Sequence, residues 1–385
     1  MRRYLPFLLS LFAIIGLLSI PFVLPNPQQQ PSAQLVYEQL NLSGFNRAEG
    51  PIPFDFPADH GPHPDYQTEW WYYTGNLATE DGRRFGYQLT FFRRALVPPD
   101  QRTDRLSDWG ADQIYMAHFA LSDIGADNFY SFERFSRSAA DLAGAQSLPY
   151  RVWLDHWTAE EIAPDTYRLF AEQEGIVLDL VLNSAKPPIL QGIDGYSQKG
   201  SDPGNASYYY SLTRLISNGT VTIHGNRYPI TGLSWMDHEY STSALSAGQI
   251  GWDWFSLQLD NGSDIMVYQI RRDDGSIDPL SKGSYADAAA NTTLLRFGED
   301  YTITVLDTWR SPRTNATYPA RWAITIPGKD IELIVEPLMA DQELSVSFNY
   351  WEGAIRITGS VNGQPVSGYG YVEMTGYAAS MEGQF

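Results

Sequence analysis

The 385-residue chain contains no cysteine. That absence excludes disulfide scaffolds, Cys-ligated zinc, iron–sulfur clusters and thiol nucleophiles. Positive charge is scarce: 26 Lys and Arg stand against 45 Asp and Glu, a formal net charge of −19. A phosphate-backbone binder needs basic patches that release counterions, so no nucleic acid is expected as a partner, and anionic membrane surfaces are disfavoured for the same reason. Histidines are few, at 60, 63, 118, 156, 224 and 238, and no pair has the i, i+4 spacing of a zincin helix. A Gly-x-Ser-x-Gly elbow, a glycine-rich phosphate loop and a dinucleotide fingerprint are also missing, which removes the signatures of common hydrolases, kinases and dehydrogenases. No cofactor is expected. His60 and His63 in Asp59-His60-Gly61-Pro62-His63-Pro64-Asp65 could ligate a metal with nearby carboxylates, but the prolines favour a surface loop leading into a strand, and no metal is expected there.

Long apolar runs are confined to the start of the chain. Arg2 and Arg3 precede Tyr4 to Leu24, which carries no charge and is mostly Leu, Ile and Phe, and a Pro- and Gln-rich leader follows to Ala33. Residues 1–33 therefore read as a signal peptide or a membrane anchor, the only membrane contact expected. An exported chain without cysteine points to a bacterial cell envelope.

The remainder has ample apolar material, 43% hydrophobic and 14% aromatic, with 32 Gly and 24 Pro. Short runs rich in Val, Ile, Thr, Tyr and Phe recur between turn clusters such as Glu80-Asp81-Gly82, Asp260-Asn261-Gly262 and Asn362-Gly363. Many alternate polar and apolar, as in Thr220-Val221-Thr222-Ile223, the period of a strand with one buried face. One short helix is expected around Ser138 to Gly144. An all-β fold is the expectation, as antiparallel barrel or sandwich. An internal echo divides it: Trp71-Tyr72-Tyr73 to Tyr87-Gln88-Leu89 resembles Trp254-Phe255-Ser256 to Tyr268-Gln269-Ile270, with an acid beside each Trp pair, Glu69 and Asp253. Two related β-domains follow, 34–242 and 243–385.

The densest polar cluster is Trp235-Met236-Asp237-His238-Glu239-Tyr240-Ser241. In an extended segment Asp237 and Glu239 share one face while His238 and Tyr240 share the other. A carboxyl group held beneath Trp rings can have its pKa raised enough to donate a proton, and a His beside a phenol can act as base. These residues, with Glu69-Trp70-Trp71-Tyr72-Tyr73-Thr74-Gly75, Gly251-Trp252-Asp253-Trp254-Phe255, Tyr350-Trp351-Glu352-Gly353-Ala354 and Gly370-Tyr371-Val372-Glu373-Met374-Thr375-Gly376-Tyr377, resemble the AttH/CrtC-like family. That family includes carotenoid 1,2-hydratases, fungal kievitone hydratase and bacterial proteins of secreted-hydrolase type.

The resemblance covers about residues 50–380 and implies two lipocalin-like β-domains with an apolar pocket between or inside them. It implies protonation of a C=C bond and addition of water to the resulting cation. In this sequence Asp237 or Asp253 would be the acid and His238 the water base, with Glu69, Glu239 and Tyr240 beside them. Trp70, Trp71, Tyr73, His118, Trp252, Trp254 and Tyr268 would line the ligand site. Two positions depart from the hydratase pattern: His-x-Trp reads His238-Glu239-Tyr240, and Tyr-x-Asp reads Tyr268-Gln269-Ile270, which removes an implied acid. Three functions fit these residues. One is a hydro-lyase or hydrolase acting on an isoprenoid, polyketide or lipid-like ligand. Another is a non-catalytic apolar-ligand carrier serving ABC transporter components, which the AttH resemblance implies as partners. The third is a structural β-protein whose aromatics only fill cores. Catalysis predicts that Asp237, His238, Glu69 and Asp253 converge on one cavity, whereas carriage predicts an apolar cavity of roughly 300–1,000 Å³ without converging acids.

Overall fold

The computed structural model describes residues 43–102, 110–242 and 245–382. The expected signal or anchor segment, and Ser243 at the expected domain boundary, lie outside the described residues. Two curled antiparallel sheets and almost no helix make up the chain. The first is a near-barrel of β1 (Thr68–Ala78), β2 (Arg84–Ala95), β3 (Gln113–Asp123), β4 (Asn128–Arg137), β5 (Ala143–Gln146), β6 (Arg151–Leu154), β7 (Trp157–Ala163), β8 (Thr166–Gln173), β9 (Ile176–Ser184), β10 (Ile189–Leu190), β11 (Tyr196–Gln198), β12 (Ala206–Ile223) and β13 (Asn226–Ser241). The second, a half-barrel, holds β14 (Gln249–Leu259), β15 (Asp264–Arg272), β16 (Lys282–Ala286), β17 (Thr292–Arg296), β18 (Thr302–Arg310), β19 (Thr317–Ile326), β20 (Ile331–Pro337), β21 (Glu343–Ser345), β22 (Asn349–Val361) and β23 (Gln364–Met374). Among the described residues no helix is long and apolar enough to cross a membrane.

Strand order shows that the sheets are built alike. The first runs β4-β3-β2-β1-β13-β12-β9-β8-β7-β6-β5, the second β17-β16-β15-β14-β23-β22-β20-β19-β18. In both, the last strand pairs with the first, β13 on β1 and β23 on β14. The echoing hairpins, β1–β2 and β14–β15, therefore occupy equivalent places. Turn chemistry sets their neighbours: Asn362 and Gly363 both have positive φ, 50° and 69°, and close the two-residue β22–β23 hairpin, the geometry whose twist matches that of the flanking strands. The helix expected around Ser138 to Gly144 is not there. Ala140 and Asp141 take positive φ, 50° and 58°, which breaks a right-handed helix, and the segment turns into β5.

Each sheet fills its own interior. Trp71, Tyr73, Phe91, Phe119, Trp157 and Tyr210 belong to the first core, and Phe255, Trp322, Ile355 and Val372 to the second. A third cluster, with Tyr72, Tyr209, Trp235, Trp254, Met266 and Tyr371, lies where the outer face of one sheet packs on the outer face of the other. Strands at that junction are thus buried on both faces, as the almost unbroken burial of β1 and β14 shows. Their outward positions cannot be ordinary solvent-facing polar residues.

Candidate functional site

Between the sheets lies a cavity of about 140 Å³. Trp70 and Tyr72 of β1, Tyr209 of β12, Trp252 and Trp254 of β14 and Tyr268 of β15 give it an aromatic wall. Four carboxyl groups break into that wall: Asp237 and Glu239 of β13, Glu352 of β22 and Glu373 of β23. Strand alternation places each pair. Asp237 and Glu239 are two residues apart on one face, as the sequence predicts, while Glu352 and Glu373 are direct cross-strand partners.

Like charges directly opposite repel, and burial disfavours both. Accordingly, burial first and the neighbouring Glu373 second hold the Glu352 carboxyl well above the usual range. Glu352 Oε2 accepts a hydrogen bond from Tyr72 at 2.7 Å, while Oε1 is buried with no hydrogen-bond partner among the described residues. Burial also pushes Glu373 up to about 7, against the hydrogen bond donated by Trp252 Nε1 at 3.1 Å. Asp237 reaches about 7 by the same burial, although Ser211, Tyr209 and Trp235 all donate to it, at 2.5, 2.5 and 2.7 Å. Glu239 differs, being paired with Lys199 at 2.9 Å and accepting from Ser207. The site thus offers neutral acids beside an ion pair, in a low-dielectric aromatic setting.

The expected convergence of Asp237, His238, Glu69 and Asp253 does not occur. Trp70, Trp252, Trp254, Tyr268, Asp237 and Glu239 do meet at the cavity. The residues alternating with them on the same strands do not line the cavity. Glu69 is fully buried at the end of the first barrel, where Arg93 lies 2.8 Å away and His238 and His63 both reach Oε1 at 2.8 Å. Burial opposes its charge, but these partners hold its carboxyl well below the usual range. His238 donates to Glu69 from Nε2 and accepts from Tyr210 at Nδ1, while burial pushes its pKa down. Tyr240 stacks on His63 with ring centroids 3.6 Å apart, and Trp71 and Tyr73 belong to the first core. Asp253 lies inside the second sheet, held by Arg271, Gln269 and Tyr377 at 3.1, 2.7 and 3.2 Å. The echo is therefore offset by one residue. Glu69-Trp70-Trp71 matches Asp253-Trp254-Phe255 in facing, and both acids are internal ion pairs with an Arg of the next strand.

His60 and His63 do not form a surface loop either: His60 is buried and hydrogen-bonds Tyr210 at 2.7 Å. His63, Glu69 and His238 bring three metal-capable donors within 4.8 Å. Their chemistry favours an internal network over a cation site. Arg93 already neutralises Glu69, and although burial alone would lower His63, its bonds to Asp59 and Glu69 push it up to about 9, so it carries a proton. His118 stands behind the cavity wall, and its ring nitrogens hydrogen-bond to Tyr350 and Glu133.

Sequence reasoning missed Glu352, Glu373, Tyr209 and Lys199. The first two stood inside quoted motifs, and the alternation that puts Tyr350 and Glu352 on one face of β22 was the available signal. Ile270 lines the cavity where the resemblance implies an acid, so proton donors here have to come from β13, β22 and β23.

Known proteins share this fold. The crystal structure of an AttH-type protein from Nitrosomonas europaea superposes with a TM-score of 0.76 at 35% identity, covering 86% of this chain and all of that one. Kievitone hydratase of Fusarium solani subsp. phaseoli is 23% identical over 280 residues, 68% of this chain and 75% of that protein. The crystal structure of kievitone hydratase from Nectria haematococca has a TM-score of 0.66 at 16% identity, covering 87% and 98% of the two chains. Residues 47–377 match the AttH-like family model, and the chain belongs to the AttH-like family with a hydratase-like β-barrel fold.

Proposed function

We propose that the cavity between the sheets performs acid-driven water addition on the unsaturated end of an apolar isoprenoid- or polyketide-like ligand. The observation that carries this reading is the meeting of three carboxyl groups with raised pKa, Asp237, Glu352 and Glu373, inside a wall of Trp and Tyr rings. Protonating an alkene needs an acid that remains neutral near pH 7. The carbocation it creates needs electron-rich faces and a counter-charge, which Trp70, Trp252, Trp254 and Glu239 supply. Asp237, with three donors aimed at it, is suited to the ionised role; the Glu352–Glu373 pair, with one donor each, is suited to hold the proton. The name kievitone hydratase states water addition for that relative and supports the same reaction class here.

The cavity size and its acids weigh against a pure carrier. About 140 Å³ is below the roughly 300–1,000 Å³ of sites that engulf a drug-sized ligand, so it suits one end of a molecule rather than a whole lipid. The apolar N-terminal stretch and the cysteine-free composition support action in a bacterial envelope, where ABC transporter components would be the partners of this family member.

The test incubates the full-length protein with a panel of prenylated phenols and acyclic isoprenoids in heavy-oxygen water, followed by mass spectrometry. The expected product carries one labelled hydroxyl. Glu373→Gln and Glu352→Gln should each lower turnover by about 10²-fold or more, the usual size of a lost general acid. Retention of a ligand without any labelled product would favour the carrier.

A further inference from the structure

We propose that Tyr350, His118 and Glu133 form the base of this site, a role that rests on the water-addition reading above. Tyr350 lines the cavity from β22, two residues from Glu352 on the same face. Its hydroxyl lies 2.6 Å from His118 Nδ1, on β3 of the other sheet. The second ring nitrogen, Nε2, lies 3.0 Å from Glu133 Oε1 on β4, directly across the strand pair. Glu133 is fixed in turn by Ser347, whose hydroxyl donates to Oε1 at 2.6 Å. A carboxylate that orients an imidazole, which in turn accepts from a hydroxyl facing the reaction space, is the logic of a nucleophile–base triad with a phenol in the hydroxyl position.

The burial pattern gives this chain of contacts a direction. Tyr350 and His118 are buried, whereas Glu133 is partly exposed; burial raises its carboxyl, but the hydrogen bond and charge attraction of His118, and then the Ser347 hydrogen bonds, hold it below the usual range. An ionised Glu133 accepts only, so Nε2 carries a proton toward it, and in the neutral ring Nδ1 is then the bare nitrogen, placed to accept from Tyr350. A tyrosine serving only to tie the sheets together would need none of this ordering. Phe92 and Phe348 flank the ring at 5.3 and 5.4 Å and seal it from the cavity, leaving the phenol as its connection to the reacting atoms.

A carboxyl proton passes to one alkene carbon, leaving a cation and a carboxylate. A water oxygen bonds to the cationic carbon. Its surplus proton passes to the Tyr350 oxygen as the Tyr350 proton passes to His118 Nδ1, giving an imidazolium held against Glu133. The same proton then returns through Tyr350 to the spent carboxylate, so one water is added and every group is restored. Tyr350 is the catalytic residue of this set; His118 and Glu133 are positioning residues.

Two measurements on the full-length protein test the assignment. In nitrogen-15 histidine spectra without any ligand, His118 should be the neutral Nε2–H tautomer, and Tyr350→Phe should shift Nδ1 downfield as it loses its donor. A His118 ring that is Nδ1–H or doubly protonated near neutral pH would overturn the base. On whichever panel isoprenoid the native protein hydrates, Tyr350→Phe and Glu133→Gln should lower kcat by about 10²-fold with KM within about 3-fold. Unchanged kcat in Tyr350→Phe would overturn the base while leaving the acid reading intact. No turnover by the native protein would instead count against water addition itself, and the ligand-free ring spectrum would still decide whether His118 is poised to accept.

Discussion

At the scale of single residues, the site is a place where stability is given up. Asp237 titrates near pH 3.8 when solvated and at about 7 in the fold. A carboxyl group whose pKa rises on folding favours the folded state fully below 3.8, and that contribution disappears as pH climbs through about 7. Above that pH the fold holds an ionised, buried Asp237, at a cost on the order of a few kcal/mol. Asp237→Asn should therefore be more stable than the native protein above about pH 7 and gain little near pH 4, as read by urea unfolding at the two values. A variant equally destabilised at both would show that the three hydrogen bonds matter more than the charge. The same reasoning gives His63 the opposite origin with the same direction. Its pKa rises from 6.5 to about 9, so its contribution is complete below 6.5 and is lost as pH rises through 9. The two groups together make destabilisation with rising pH a two-stage process, complete for Asp237 near 7 and for His63 near 9.

At the scale of strands, facing decides what a residue is for. Trp71 and Trp254 look interchangeable in the sequence echo, yet Trp71 is fully buried in the first barrel and donates to the His60 carbonyl at 2.9 Å. Trp254 faces the cavity and donates to Tyr209 at 3.1 Å. Trp71→Ala should cost about 3–5 kcal/mol of stability by cavity formation, whereas Trp254→Ala should cost less and mainly weaken turnover or ligand retention. Equal melting losses in the two variants would argue against this division. Strand existence, the turns at Asp260-Asn261-Gly262 and Asn362-Gly363, and the shared face of Asp237 and Glu239 were legible in the sequence, because period-two alternation and turn residues are local signals. What was not legible was the register of the echo, since a one-residue slip exchanges interior for exterior at every position. Glu69 and Asp253 consequently read as catalytic acids when they are ion-paired within the barrels. Glu352 and Glu373 were hidden for a related reason: their pairing joins β22 to β23, and their placement opposite Asp237 depends on packing one sheet on the other.

At the scale of the whole molecule, the junction that makes the cavity also binds the sheets into one structural unit. The described residues belong to a single compact unit. Polar ties cross the junction throughout: Tyr72 to Glu352, Asn76 to the Gly370 carbonyl at 2.8 Å, Ser122 to Gln342 at 2.7 Å, and His118 to Tyr350. An ionic tie is made at Asp264 of the second sheet, which receives Lys186 at 2.7 Å and Arg214 at 2.6 Å from the first. Lys186 Nζ also donates to the carbonyls of Gly262 and Asp287, both at 2.8 Å, so its ammonium is fully engaged in the partner sheet. Losing one sheet would strip these groups of partners and expose the aromatic junction, so unfolding should be a single cooperative transition, seen by coincident tryptophan fluorescence and far-ultraviolet dichroism. Lys186→Met removes one of two cations from Asp264 and one donor each from the half-buried Gly262 and Asp287 carbonyls, which should cost about 1–3 kcal/mol while keeping the transition single. Separate transitions for the two signals in the native protein would mean that the sheets fold independently, and the cavity walls could then part without unfolding either barrel.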